Sequence, residues 1–500
     1  MTWVDLPLGQ KLALTDLPRV PLETFRTWLE QALAGGAYLS ALFGTPQGDD
    51  LWVIAVVSEK GRPLHVSSTV VGMSYPSLTP TLPQAHLFER EMAEVWGIKP
   101  EGHPWLKPVR FMPPARPGVN VFTGAEPPRV GDTHFFQVAG DEIHEVAVGP
   151  IHAGVIEPGH FRFQCHGEQV FHLEISLGYQ HRGVERALRE SAIKRHLPIV
   201  ETLAGDTSVG HSLAYAGVLE ALTGVEVSPR AQALRCIGLE LERLANHTGD
   251  LGALAGDVGF LPTASWCGRI RGDFLNLTAS ICGSRFGRGF IRPGGTSFDV
   301  DQALARSMGD RLKSAGRDAV GACDFLWETP SVLARFEQVG VVSPEICRQL
   351  GLVGPAARAS GDDRDIRRDH PSGGYENRDI RVATWPAGDV YGRAYVRYLE
   401  IKESLRQVES MLSNLPEGEV KRVVPPLPPD SLGVGMIEGW RGEICHVILT
   451  DHQGGILNYK VVDPSFHNWT GLAMALRQQQ ISDFPLCNKS FNLSYCGHDL

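Results

Sequence analysis

Between residues 112 and 132 the chain reads "MPPARPGVNVFTGAEPPRVGD". The stretch is rich in Pro and Gly and has neither a helical nor a strand period, so it offers no face to bury and reads as an interdomain linker. It divides the 500 residues into a small α+β domain (1–112), a linker (113–132) and a large, mainly helical domain with peripheral β-sheet (133–500). The class expected for the whole is α+β.

In the first unit, "PLETFRTWLEQALAGG" (21–36) puts Phe25, Trp28, Leu29, Ala32 and Leu33 on one helical face, with Gly35 as a stop. "LWVIAVVSE" (51–59) reads as a buried strand. In the large unit, "HFRFQCHGEQVFHLEISLG" (160–178) alternates on both sides of Gly167, which predicts a hairpin. Ser228 followed by Pro229 predicts a helix start, and Leu234, Ile237, Leu241, Leu244 and Ala245 continue it as a stripe. Further helices are predicted over 301–320 and 393–412, and strands over 443–451 and 456–463 across the turn "HQGG".

The formal net charge of -10 is spread along the chain, which argues against a nucleic-acid partner, since phosphate binding needs basic excess. No run of eighteen apolar residues is present, so no span of a membrane is expected. The N-terminus carries Asp5 and Asp16 without an apolar core, so no signal peptide is expected and the location reads as cytoplasmic. Nine scattered cysteines, none at C-x-x-C spacing, predict reduced thiols and no cluster bound by this chain.

The densest polar constellation is "GPIHAGVIEPGHF" (149–161), with His152, Glu157 and His160. Two readings stand beside each other. Either the loop lines a site with Glu157 as a proton carrier, or it is a rigid entry to the hairpin with solvated side chains. A metal held by the three residues is a weaker third reading, because loop spacing imposes no shared face. The terminal "CNKSFNLSYCGHDL" adds Cys487, Cys496 and His498, which could be half of a metal site; otherwise Cys496 reads as a buried small apolar residue and His498 as a satisfied surface or interface residue.

Six stretches occur in one order: "GPIHAGVIEPGHF", "LGYQHRGVER", "ELERLANHTGDLGALAGDVG", "RFGRGFIRPGG", "LVGPAARASGDDRDIRRDHP" and "DPSFHNW". In that order they resemble the large subunit of membrane-bound, energy-converting nickel–iron hydrogenases and, equally, the quinone-site subunit of respiratory complex I. "FEREMAEVWGIKPEGHPWLKPVRF" (88–111) resembles the small peripheral-arm subunit fused in front.

The resemblance implies two C-x-x-C pairs around a nickel–iron centre. The matching positions here are Ala204, Thr207, Leu493 and Cys496. One thiolate of four does not suffice for a cysteine-bridged soft-metal pair, so no metal is expected. For the quinone subunit, the histidine position is Ile156 and the tyrosine position is Gly205, while the carboxylate is kept as Asp257. Asp257 equally suits a helix-end cap.

The resemblance thus implies a degenerate cavity lined by Ile156, Gly205 and Thr207. His152, Glu157, Asp206 and Asp257 are its candidates for proton transfer, with Glu157 the foremost. It further implies an oxidoreductase subunit, peripheral on the inner face of the cell membrane. The implied partners are a small iron–sulfur subunit bearing a 4Fe-4S cluster, a ferredoxin-like iron–sulfur subunit, a complex I-like membrane subunit and antiporter-like subunits. A quinone or another small acceptor would react at the cavity, with ion translocation coupled to it. The alternatives are a catalytically silent scaffold and, third, a working nickel–iron hydrogenase.

Overall fold

A computed structural model describes residues 2–500 apart from 117–118, 123–127 and 153–155. Parts of the linker and of the loop 149–161 therefore lie outside the described residues. The fold is α+β.

The N-terminal unit is an antiparallel sheet ordered Val4–Leu6, Leu64–Val71, Asp50–Ser58 and Tyr38–Gln47. Helix Leu22–Ala34 covers it, burying Phe25, Trp28 and Leu29 and ending at Gly35.

The large unit begins with strands Ile143–Val148, His160–His166 and Gln169–Ser176. Four long helices follow, Pro229–Asp257, Leu261–Cys282, Gln302–Trp327 and Val390–Ser413. The first is the bundle's centre. Ser228 caps it, accepting from the amide of Ala231 at 3.2 Å, and Pro229 occupies a first-turn position where no intrahelical donor is needed. It is buried nearly all round, including Glu240 and Arg243. Burial pushes the Glu240 carboxyl up, but Arg367 and Arg243 outweigh it and hold it down to about 2.

A second antiparallel sheet runs Ile456–Val462, Gly442–Thr450, Ser431–Gly439 and Lys11–Ala13. Its last strand comes from the N-terminal unit. The two middle strands are buried at every position. Leu432, Val434, Met436, Cys445 and Val447 share a core with the N-terminal unit, while Ile448 and Val461 pack with Leu219 and Leu222 of helix Ser208–Thr223. That helix lies so close that a Cβ on Gly435 would stand 2.1 Å from the Ala214 carbonyl oxygen. The sheet therefore holds the middle of this helix at a fixed depth.

Charged groups lock the two units. Lys460 donates to both oxygens of Glu91, each at 2.6 Å, Arg110 also donates to Glu91, and Arg110 Nε reaches the His498 carbonyl at 3.0 Å.

Candidate functional site

A cavity of about 890 Å³ opens where the loop after residue 155, the turn before helix Ser208–Thr223, the end of helix Pro229–Asp257 and the C-terminal segment meet. His152, Ile156, Glu157, Gly205, Asp206, Asp257, Leu493 and Cys496 all line it. His152 and Cys496, 344 positions apart in sequence, thus converge on one space. Ala204 and Thr207 are buried just behind the wall. The Thr207 hydroxyl, read from sequence as cavity-lining, donates to Asp206 at 3.1 Å and accepts from Trp440 Nε1 at 3.1 Å. His160 does not line the cavity. Its Nε2 accepts from Arg162 at 3.2 Å, so the three-residue metal set does not converge.

Glu157 reaches the start of the short helix Tyr495–Asp499. Its Oε2 accepts from the amides of Tyr495 at 3.2 Å and Cys496 at 3.3 Å. A Cβ on Gly159 would fall 2.5 Å from the Tyr495 ring, so glycine there lets the loop seat against it. Burial and the adjacent Glu157 carboxylate push the Cys496 thiol up to about 11. Burial likewise pushes the Tyr495 phenol up to about 12. The Tyr495 hydroxyl lies 3.5 Å from His152 Nε2, and burial moves that imidazole below its ordinary value.

The opposite wall is ionic. Arg441, at the tip of the hairpin Ser431–Thr450, donates to both oxygens of Asp206, at 2.6 and 2.8 Å. Burial pushes the Asp206 carboxyl up, but the guanidinium outweighs it and holds the group below its usual range. Arg441 Nε also donates to the Asn492 carbonyl at 2.6 Å, tying the C-terminal segment to this wall. Asp257 is the last residue of its helix and exposed. Partial burial of its carboxyl raises its pKa.

At the four positions where the resemblance expects cysteines around nickel and iron, the side chains end in a methyl group, an occupied hydroxyl, an isobutyl group and one protonated thiol. That donor set does not fit a cysteine-bridged centre.

Residues 257–428 match the family of the respiratory-chain NADH dehydrogenase 49 Kd subunit. Residues 22–118 match that of the 30 Kd subunit. The carbon monoxide-induced hydrogenase of Rhodospirillum rubrum is 32% identical over 354 residues, 70% of this chain and 97% of that protein. The chain belongs to the family of complex I 49 Kd subunits and membrane-bound hydrogenase large subunits. Formate hydrogenlyase subunit 5 of Escherichia coli is 29% identical over 488 residues, 93% of this chain and 85% of the relative. NADH-quinone oxidoreductase subunit 4 of Thermus thermophilus is 30% identical over 372 residues, covering 68% and 90%. As their names state, these relatives include subunits of oxidoreductases, and this chain is accordingly a component of a hydrogenase-related, complex I-like redox assembly. Among the described residues no helix is long and apolar enough to cross a membrane.

Within this family member, sequence reasoning missed Tyr495, although Leu493 and Cys496 beside it mark the cavity, and Arg441, whose neighbours in sequence carry no such cue. It also missed a buried chain behind the wall, one turn into helix Ser208–Thr223. Asp463 can only accept, so His211 Nε2 donates to it at 3.0 Å. His211 Nδ1 lies 3.2 Å from His446 Nε2, and His446 Nδ1 lies 2.9 Å from the Tyr459 hydroxyl. Burial and its imidazole neighbour hold His446 well below its ordinary pKa, so this pair is neutral at the His446 end.

Proposed function

We propose that this chain is the cavity-bearing subunit of a membrane-associated complex in which reduction of a quinone or another small acceptor is coupled to ion translocation. Electrons would arrive from a 4Fe-4S cluster on a small iron–sulfur partner, fed through a ferredoxin-like subunit. A complex I-like membrane subunit with antiporter-like neighbours would move the ions, with this chain peripheral on the inner face of the cell membrane. Reduction of a quinone takes up two electrons and two protons, so the cavity must supply both protons.

The observation that carries this reading is the meeting of Glu157, His152 and Tyr495 on one cavity wall. The histidine and tyrosine positions expected from the family are Ile156 and Gly205. A histidine and a tyrosine nevertheless face the same space from other positions. In this reading Tyr495 and His152 would give protons to a reduced acceptor, and Glu157 would restore them.

A scaffold role is favoured by one feature: Glu157 also caps the amides of Tyr495 and Cys496, which is a sufficient structural task. Glu157→Gln separates the two. Glutamine keeps an oxygen for the amides but carries no proton. In membrane vesicles with the assembled complex, redox-linked ion transport is expected to fall about a hundredfold, with assembly unchanged. Wild-type transport in an active complex carrying this variant would leave the scaffold reading.

A further inference from the structure

A second cavity, of about 300 Å³, lies in the seam between the two units. Helix His86–Trp96 and the segment 104–111 form its N-terminal side. Strand Gln169–Ser176 and helix Pro464–Ala475 form the other. Its size lies at the lower end of the roughly 300–1,000 Å³ of small-molecule sites.

The walls are apolar and aromatic, with Trp105, Phe111, Leu177, Trp469 and Met474 among them. The charges are one-sided: Arg90, Lys107 and Arg477 face a single carboxylate, Glu174. That carboxylate is already engaged, accepting from Lys107 Nζ at 2.6 Å and from the Phe136 amide at 2.8 Å. Arg90 gives Nε and Nη2 to the carbonyls of Lys107 and Pro108, each at 2.8 Å, and so meets dipoles but no carboxylate at that distance. Arg477 is exposed at the rim and has no ion pair among the described residues. His172, packed against Phe136 at 4.7 Å between ring centroids, buries its Nε2 without a hydrogen-bond partner among the described residues. A buried imidazole nitrogen without a partner, beside Arg477 with no ion pair and Arg90 bonded to backbone carbonyls, above an aromatic floor, is a pattern for one ligand chemistry. An anionic head satisfies the donors and an apolar body of about a dozen atoms covers the rings.

We propose that this seam is a binding site for a small amphipathic carboxylate, its head between Arg90, Arg477 and His172 and its body against Trp105, Trp469 and Met474. Both units supply contacts, so a bound carboxylate braces them together. The site is separate from the large cavity and independent of the reading given to it.

The test uses the purified full chain and 4-phenylbutanoate as probe. Calorimetry is expected to give saturable one-to-one binding, with the melting temperature rising as the probe is added. Met474, one of eight methionines, reports the place: its methyl resonance should move on titration. Two variants keep the fold, Arg477→Gln at the exposed rim and His172→Phe, which retains a ring. Each should weaken binding about tenfold, since each removes a hydrogen bond to a charged head. Phenylbutylamine, with the same body and opposite charge, should not bind. Failure to saturate by about 10 mM, beyond ordinary millimolar affinities, overturns the proposal. Equal binding of the amine, an unmoved Met474 signal, or unchanged affinity in both variants does so as well.

Discussion

Arg441 donates Nη1 and Nη2 to the two oxygens of Asp206, at 2.6 and 2.8 Å, across 235 residues of sequence. The guanidinium is nearly fully buried and the carboxylate about one-third exposed. Removing one partner strands the other charge in a place water reaches poorly. Asp206→Asn is therefore expected to destabilise the chain by about 3 kcal/mol at neutral pH, read from denaturant midpoints. The carboxyl is held below its ordinary value. Its contribution is thus fully present above the unfolded value near 4 and is lost as the pH falls through the folded one. The gap between wild type and Asp206→Asn should shrink only in acid.

Chain produced in nickel-supplemented cells is expected to contain no stoichiometric nickel and to evolve no hydrogen. Ala204, Thr207 and Leu493 supply no thiolate, and Thr207 Oγ1 is already bonded to Asp206, Trp440 and Arg441. Elemental analysis and a hydrogen electrode check this. About one nickel per chain would sink the account of the four positions.

Much of the helical frame was legible in sequence because its signals are local. Ser228, Pro229 and the stripe from Leu234 to Ala245 announce the central helix before any partner is known. Strand Ser431–Gly439 was not legible. Gly433, Gly435 and Gly439 dilute its strand signal, yet Gly435 is there to admit the Ala214 carbonyl of the neighbouring helix. The cavity was legible where motifs mark its wall, at His152, Ile156 and Glu157, at Gly205 and Asp206, at Asp257, and at Leu493 and Cys496. Tyr495 became part of it through packing against Gly159, and Arg441 through a pairing no local pattern encodes. Thr207 shows the limit of positional reading: its position borders the cavity while its hydroxyl turns to Trp440.

Cys496 is a test of environment against exposure. Its thiol, pushed up to about 11 by burial and the Glu157 carboxylate, is almost wholly protonated at pH 8. Alkylation by iodoacetamide at that pH should run on the order of a hundredfold slower than at a free cysteine, whose pKa is near 8.5. Glu157→Gln removes the negative neighbour and should speed the reaction. Cys496→Ser is expected to leave folding and assembly intact, because the sulfur packs and bonds weakly to Ser494 at 3.4 Å. Mass spectrometry after timed quenching gives the rates.

The last prediction concerns Glu242, which faces the same helix start from behind. Its oxygens accept from the amides of Val209 at 2.7 Å and Gly210 at 3.1 Å. Those bonds and the helix N-terminus favour the ionised form. Burial opposes them and prevails, pushing the carboxyl up to about 8, with the Asp206 charge adding to the rise. The folded value lies above the unfolded one near 4.3, so between the two the native state holds a proton that the unfolded state has lost. Stability from this group is then complete in acid and declines as the pH rises toward 8, by at most about 1.4 kcal/mol per unit. Glu242→Gln keeps an acceptor for the two amides and does not titrate. Unfolding free energies measured from pH 5 to 9 should show the variant gaining on the wild type as the pH rises, and levelling above the folded value. Parallel curves for the two proteins would mean that Glu242 is ionised throughout, and that the helix start rather than burial sets its charge.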